Sequence, residues 1–134
     1  MVFPGKMNNR EQENFFESIG RLDFEQARIK HVLFKSKLRA LLYGASIDTE
    51  PVLSTRQCSL GKWIYDVAMP RIGHLPEVRE LERVHDEMHV IARKLWQLHQ
   101  QGQEEKALAQ LSQIDETAQR LLRLLDKIER KAAA

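Results

Sequence analysis

His85 and His89 stand four residues apart in the segment Leu81-Glu-Arg-Val-His-Asp-Glu-Met-His89. On a helix that spacing projects both imidazoles from one face, one turn apart and close enough to share a metal ion. Taken alone, the pair reads better as two partly buried histidines with ordinary hydrogen bonds. Two further residues change that reading. His31 falls on an apolar stripe with Ala27 and Phe34 about one turn to either side, where an unpartnered ring would cost roughly 1–3 kcal/mol of desolvation. Cys58, the single cysteine of the chain, lies near the start of a short helical segment whose macrodipole favours a thiolate. It cannot form an internal disulfide and is free for chemistry or metal. A thiolate with three neutral imidazoles is a four-coordinate N/S set that suits zinc, and four protein ligands leave no position for a catalytic water. The expectation is one zinc ion per chain, held by His31, Cys58, His85 and His89, with no catalytic residues and no enzyme activity.

Other residues with chemical potential are read as scaffold. The string His85-Asp-Glu-Met-His89 looks like a metalloprotease helix, but that mechanism needs glutamate directly after the first histidine, and the residue there is Asp86. His74 and His99 take surface or capping roles, since a positive side chain near a helix C-terminus needs no ligand. Trp63, Tyr65 and Trp96 at helical spacing are packing residues. Arg120, Arg123, Lys127, Arg130 and Lys131 are diluted by Asp115, Glu116, Asp126 and Glu129, so they form a solvated face.

Four helical segments must position the candidate ligands, separated by Gly44, Pro51, Gly61, the Pro70 to Pro76 stretch and Gly102. The first spans about Glu11 to Tyr43, with Phe24, Ala27, His31, Phe34, Leu38 and Leu41 on one stripe and Phe15, Ile19, Leu22, Ile29 and Leu33 on another. Two stripes imply two packing neighbours. A short second segment, about Thr55 to Met69, has Ser54 or Thr55 as N-cap and Pro70 as its stop. The third runs from Pro76 to about Gln101, with Val78, Leu81, His85, Met88, His89, Ala92, Leu95 and Trp96 on one face and Gly102 as terminator. The fourth, about Glu104 to Lys131, repeats Leu108, Leu111, Ile114, Ala118, Leu121, Leu125 and Ile128. No segment alternates with strand periodicity, and no hairpin turn pair is present. The fold class is therefore all-α: an antiparallel four-helix bundle with a short second helix and a buried zinc site, since bundle metal sites are assembled from inward side chains of different helices.

The bulk numbers agree. The chain of 134 residues suits one domain, read as residues 11–131, between a flexible arm at 1–10 and a tail at 132–134. A hydrophobic share of 43% and a charged share of 30% are ordinary for a folded soluble domain. Basic residues exceed acidic ones by only two, 21 against 19, and the two kinds are interspersed, so no stripe suits nucleic acid. No apolar run has the length of a membrane span and the start lacks a signal-peptide core, so the expected location is cytoplasmic, without membrane contact.

Three blocks around the ligands resemble one family, the bacterial chemoreceptor zinc-binding domain, which occurs attached to chemoreceptors and diguanylate cyclases and also as stand-alone proteins. His31-Val-Leu-Phe-Lys35 is similar to the first-helix signature, Cys58-Ser-Leu-Gly-Lys-Trp-Ile-Tyr65 to the cysteine signature, and Leu81 to His89 to the closing histidine pair. The Cys-x-x-Gly-x-Trp element is the most specific of the three. The resemblance covers roughly Leu22 to Trp96 with motifs. It implies a four-helix fold, a homodimer, zinc on three histidines and one cysteine, and a regulatory role acting in trans on a chemoreceptor or diguanylate cyclase. Gly61 would then allow close approach of helices and Trp63 would pack beside the metal layer. One departure is Lys30, where the family pattern often has an acid before the first histidine. Glu82 or Asp86 are the carboxylates expected to orient ligand imidazoles. Two inputs stay open, zinc level and oxidation of Cys58, as does the alternative of a zinc-stapled dimerisation module without a sensing role.

Overall fold

In the computed structural model, which describes the backbone of residues 9–133 and the side chains of residues 20–133, the longest element is α1 (Asn9–Leu42). Residues 1–8 of the expected arm and residue 134 of the expected tail lie outside the described residues. Asn9 and Arg10 already belong to the helix, and the last helix runs through to Ala133.

The long helices end where glycine permits it. Gly44 and Gly102 adopt positive φ of 92° and 77°. Behind each, paired backbone bonds satisfy the last carbonyls of the helix: Ala45 N to Ala40 O and Gly44 N to Leu41 O after α1, Gln103 N to Leu98 O and Gly102 N to His99 O after α5 (Pro76–Gln100). The third helix thus opens at Pro76 and stops before Gly102, as its sequence predicts.

Between α1 and α5 the chain does not make one short helix. It forms α2 (Glu50–Leu53), a turn, α3 (Ser59–Trp63), a π-helical turn at Ile64–Ala68 and α4 (Met69–Ile72). The expected N-cap at Ser54 or Thr55 is replaced by Cys58, and Pro70 does not stop the segment. The widened π turn, closed by Met69 N on Ile64 O, absorbs one extra residue. Pro70 then sits in the first turn of α4, where its missing N–H costs least. The expected fourth helix is also divided, into α6 (Glu104–Ala109) and α7 (Ser112–Ala133). Short i to i−3 bonds from Leu111, Gln113 and Ile114 bridge the break.

Cross-helix contacts give the directions. Phe34 meets His89 and His31 acts on His85, so α1 and α5 run parallel. Trp63 meets Phe24 and Arg71 binds Asp23 at 2.9 Å, so the α2–α4 layer descends against α1. Arg28 pairs with Asp126 and Glu129, Lys35 with Asp115, and Glu87 with Arg120, so α7 runs antiparallel to both long helices. Exposed pairs of this kind contribute at most about 1 kcal/mol each; their value here is that they report the register. The order is up, down, up, down, an all-α bundle with no strand among the described residues.

The core is the predicted one. Phe24, Ala27, His31, Phe34, Leu38 and Leu41 of α1 are buried against the apolar faces of α5 and α7. The second stripe of α1 is different: Leu22, Ile29 and Leu33 are exposed, as is Val32 beside them. Along residues 20–42 this stripe has no covering neighbour among the described residues; Phe15 and Ile19 of that stripe lie outside the described side chains.

Candidate metal centre

Two elements, α3 and α5, bring the chemistry together. Cys58 caps the N-terminus of α3 with extended backbone (φ −73°, ψ 134°), while His85 and His89 face inward from one side of α5. Their ligand atoms, Sγ and ring nitrogens, all lie within 4.8 Å of one another, and all three residues are buried. The Nε2 atoms of His85 and His89 approach to 3.1 Å. Two nitrogens at zinc–ligand distance on a tetrahedral ion stand about 3.3 Å apart, so the pair is already spaced to share one.

His31 is placed beside this group rather than within it. It is buried on α1, near enough to His85 to act on its protonation, and both of its ring nitrogens lack a hydrogen-bond partner. His85 Nδ1 is likewise unpartnered. Polar atoms left bare in a core cost about 1–3 kcal/mol each, and a buried ring with no partner is what a ligand in waiting looks like. The donor set fits zinc chemistry: neutral imidazoles plus a sulfur, with no water-facing carboxylate.

The partner that orients His89 is a backbone group. His89 Nδ1 donates to the Val52 carbonyl at 2.7 Å, which leaves Nε2 without a proton and facing His85 Nε2. Sequence pattern pointed instead to Glu82 or Asp86 as orienting acids. Neither hydrogen-bonds a ligand imidazole: Glu82 holds the Tyr65 hydroxyl, and Asp86 lies near Arg56 and Arg93. A backbone carbonyl carries no side-chain signature, which is why the residue types did not betray it.

Gly61 and Trp63 have the expected structural roles. A Cβ on Gly61 would overlap the Thr55 carbonyl oxygen and stand 3.0 Å from His85 Cε1, so only glycine lets α3 lie this close to both the Thr55 turn and the histidine. Trp63 is buried edge-on against Phe24, with ring centroids 5.4 Å apart. His74 is exposed in the turn before α5, and His99 stacks on Trp96 at 5.2 Å; neither joins the cluster.

Burial sets the protonation states. It pushes His31 down to about 4, helped by the charge of Lys35. It pushes His85 down to about 3, helped by His89 and His31, and His89 down to about 4 against the bond to Val52. All three rings are therefore neutral at neutral pH. Cys58 corrects an expectation. The N–H groups of Gly61 and Leu60 and the charge of Lys37 do favour a thiolate, but burial outweighs them and the thiol is pushed up. Without a cation the sulfur stays protonated.

Residues 31–96 match the family model described as the chemoreceptor zinc-binding domain. The match begins at His31, ends at Trp96 and contains Cys58, His85 and His89. Over residues 31–96 the chain belongs to that family. None of the curated proteins or solved structures compared with the chain matches it.

Two outcomes follow from this geometry. Gly61→Ala should destabilise the metal-free protein by about 1–3 kcal/mol through forced displacement of the Thr55 turn, read as a lower urea midpoint; an unchanged midpoint would mean the turn yields freely. The second concerns pH. Unfolded histidines take up protons near pH 6.5, the folded ones only at about 3 to 4. Across that window the unfolded state binds more protons, so stability of the metal-free protein rises with pH and is lost on acidification. Going from neutrality to about pH 5.5 should cost about 1 kcal/mol per ring, of order 3 kcal/mol together. Denaturant melts at the two pH values measure it, and a flat profile would contradict neutral burial of the rings.

Proposed function

We propose that the chain holds one zinc ion on His31, Cys58, His85 and His89, and that occupancy of this site regulates a separate bacterial signalling protein, a chemoreceptor or a diguanylate cyclase. The observation that carries this reading is the buried convergence of Cys58, His85 and His89 within 4.8 Å, with the bare nitrogens of His31 beside it. The family match supports the choice of metal. When bound, zinc supplies the positive charge that keeps Cys58 a thiolate and ties α1, α3 and α5 to one point. The chain's own residues do the rest: burial keeps the imidazoles neutral, Val52 orients His89, and Gly61 seats the turn that carries Cys58.

Both inputs meet at Cys58: it is buried and its thiol is pushed up without a cation, so zinc binding is also what would make the sulfur a thiolate open to oxidation. A four-ligand site leaves no open position for a substrate, so the reading is regulatory rather than catalytic. No helix among the described residues is long and apolar enough to cross a membrane, in keeping with a cytoplasmic setting.

A second copy of the chain is the proposed neighbour for the outer stripe of α1. Leu22, Ile29, Val32 and Leu33 are each between 50% and 62% exposed. Leu22, Ile29 and Leu33 share one helical face and would be covered by the same face of a partner in a two-fold pair.

Elemental analysis of untagged protein purified without added metal should find about one zinc per chain, lost in His85→Ala. Less than about half a zinc in the wild type, or unchanged zinc in the variant, would sink the assignment. Cys58→Ser separates regulation from stapling: a regulatory site keeps the helical fold and loses tight zinc affinity, whereas a staple loses its fold with its metal. Light scattering should give twice the 15.6 kDa chain mass, reduced to the single mass by Ile29→Glu; a monomeric wild type would remove the paired-chain reading.

A further inference from the structure

The element that orients His89 cannot hold itself in place. α2 has four residues, Glu50 to Leu53, too few to sustain a helix by its own ladder. Its start is tied only locally, by Glu50 N to Asp48 Oδ1 at 3.1 Å. Its last carbonyls, those of Val52 and Leu53, receive no backbone N–H among the described residues. Such orphan carbonyls need an outside donor, and α5 supplies two of them one turn apart. His89 Nδ1 meets the Val52 carbonyl at 2.7 Å, and Arg93 Nη1 meets the Leu53 carbonyl at 2.9 Å.

Resting on the zinc reading above, we propose that Arg93 is a positioning residue for the metal centre: by fixing the Leu53 carbonyl it seats α2 so that the adjoining Val52 carbonyl holds His89 with Nε2 toward the site. Arg93 is exposed and touches no ligand atom itself, so its effect travels through two consecutive peptide groups. Without that bond the Leu53 carbonyl turns to water and the end of α2 shifts about the buried Val52 side chain. The Val52 carbonyl then leaves hydrogen-bond range, and the His89 ring is free to present either nitrogen.

The test is a zinc competition titration with a chromophoric chelator on the wild-type chain, Arg93→Met and Arg93→Lys, together with the visible spectrum of each cobalt(II)-loaded protein. Arg93→Met keeps the aliphatic stem and loses the donor. It should bind zinc at least about tenfold more weakly and show altered cobalt ligand-field bands, while the helical signal of the metal-free protein is unchanged. Arg93→Lys restores a single donor and should recover most of the affinity and the band positions. Wild-type zinc affinity and cobalt bands in Arg93→Met would overturn the proposal, as would an equal loss in Arg93→Lys that follows lowered stability of the metal-free fold. A wild-type chain that takes up neither metal would instead remove the zinc reading itself, and this proposal with it.

Discussion

The structure is organised around three imidazoles in a hydrocarbon core. His31, His85 and His89 are buried and occupy positions where leucine would pack as well without bare nitrogens. Apolar burial by Phe24, Leu38, Leu81, Met88 and Leu121 supplies the driving force for the bundle, and the histidines draw on it. Hydrogen bonding within the chain satisfies His89 and leaves His31 entirely bare. From this follow the parallel placement of α1 and α5, the layer that brings a sulfur between them, and the glycine that lets that layer come close.

Much of this was legible in the residues, because side-chain type and period carry it. The stripe containing His31 is buried, the α5 face containing His85 and His89 is buried, and Gly44 and Gly102 stop their helices through positive φ. Cys58 lies beside the histidine pair as the Cys-x-x-Gly-x-Trp block implies. What period could not give was the second stripe of α1, since Leu22, Ile29 and Leu33 carry the same signal whether a neighbour is in the same chain or elsewhere. Nor could it give the acidity of Cys58. A helix N-terminus favours a thiolate and burial opposes it, and the balance depends on how dry the site is.

The π turn and the broken last helix were hidden for a different reason. Both depend on hydrogen-bond register, not on composition. Pro70 reads as a stop in any regular helix, and it is accommodated because Met69 N reaches back to Ile64 O instead of Tyr65 O. The break at Gln110 and Leu111 has neither proline nor glycine to announce it.

The irregularity between α1 and α5 is what makes the site. One continuous helix across residues 50–72 would use the carbonyls of Val52, Leu53 and Thr55 in its own ladder. Broken into single turns, the same segment frees them: Val52 for His89, Leu53 for Arg93, and Thr55 to rest against Gly61. The break also places Cys58 at a helix start, where the nearby backbone of Leu60 and Gly61 favours its thiolate. The weak propensity of Pro51, Gly61 and Pro70 keeps this layer from satisfying itself, so its backbone finds partners on the helix that carries His85 and His89.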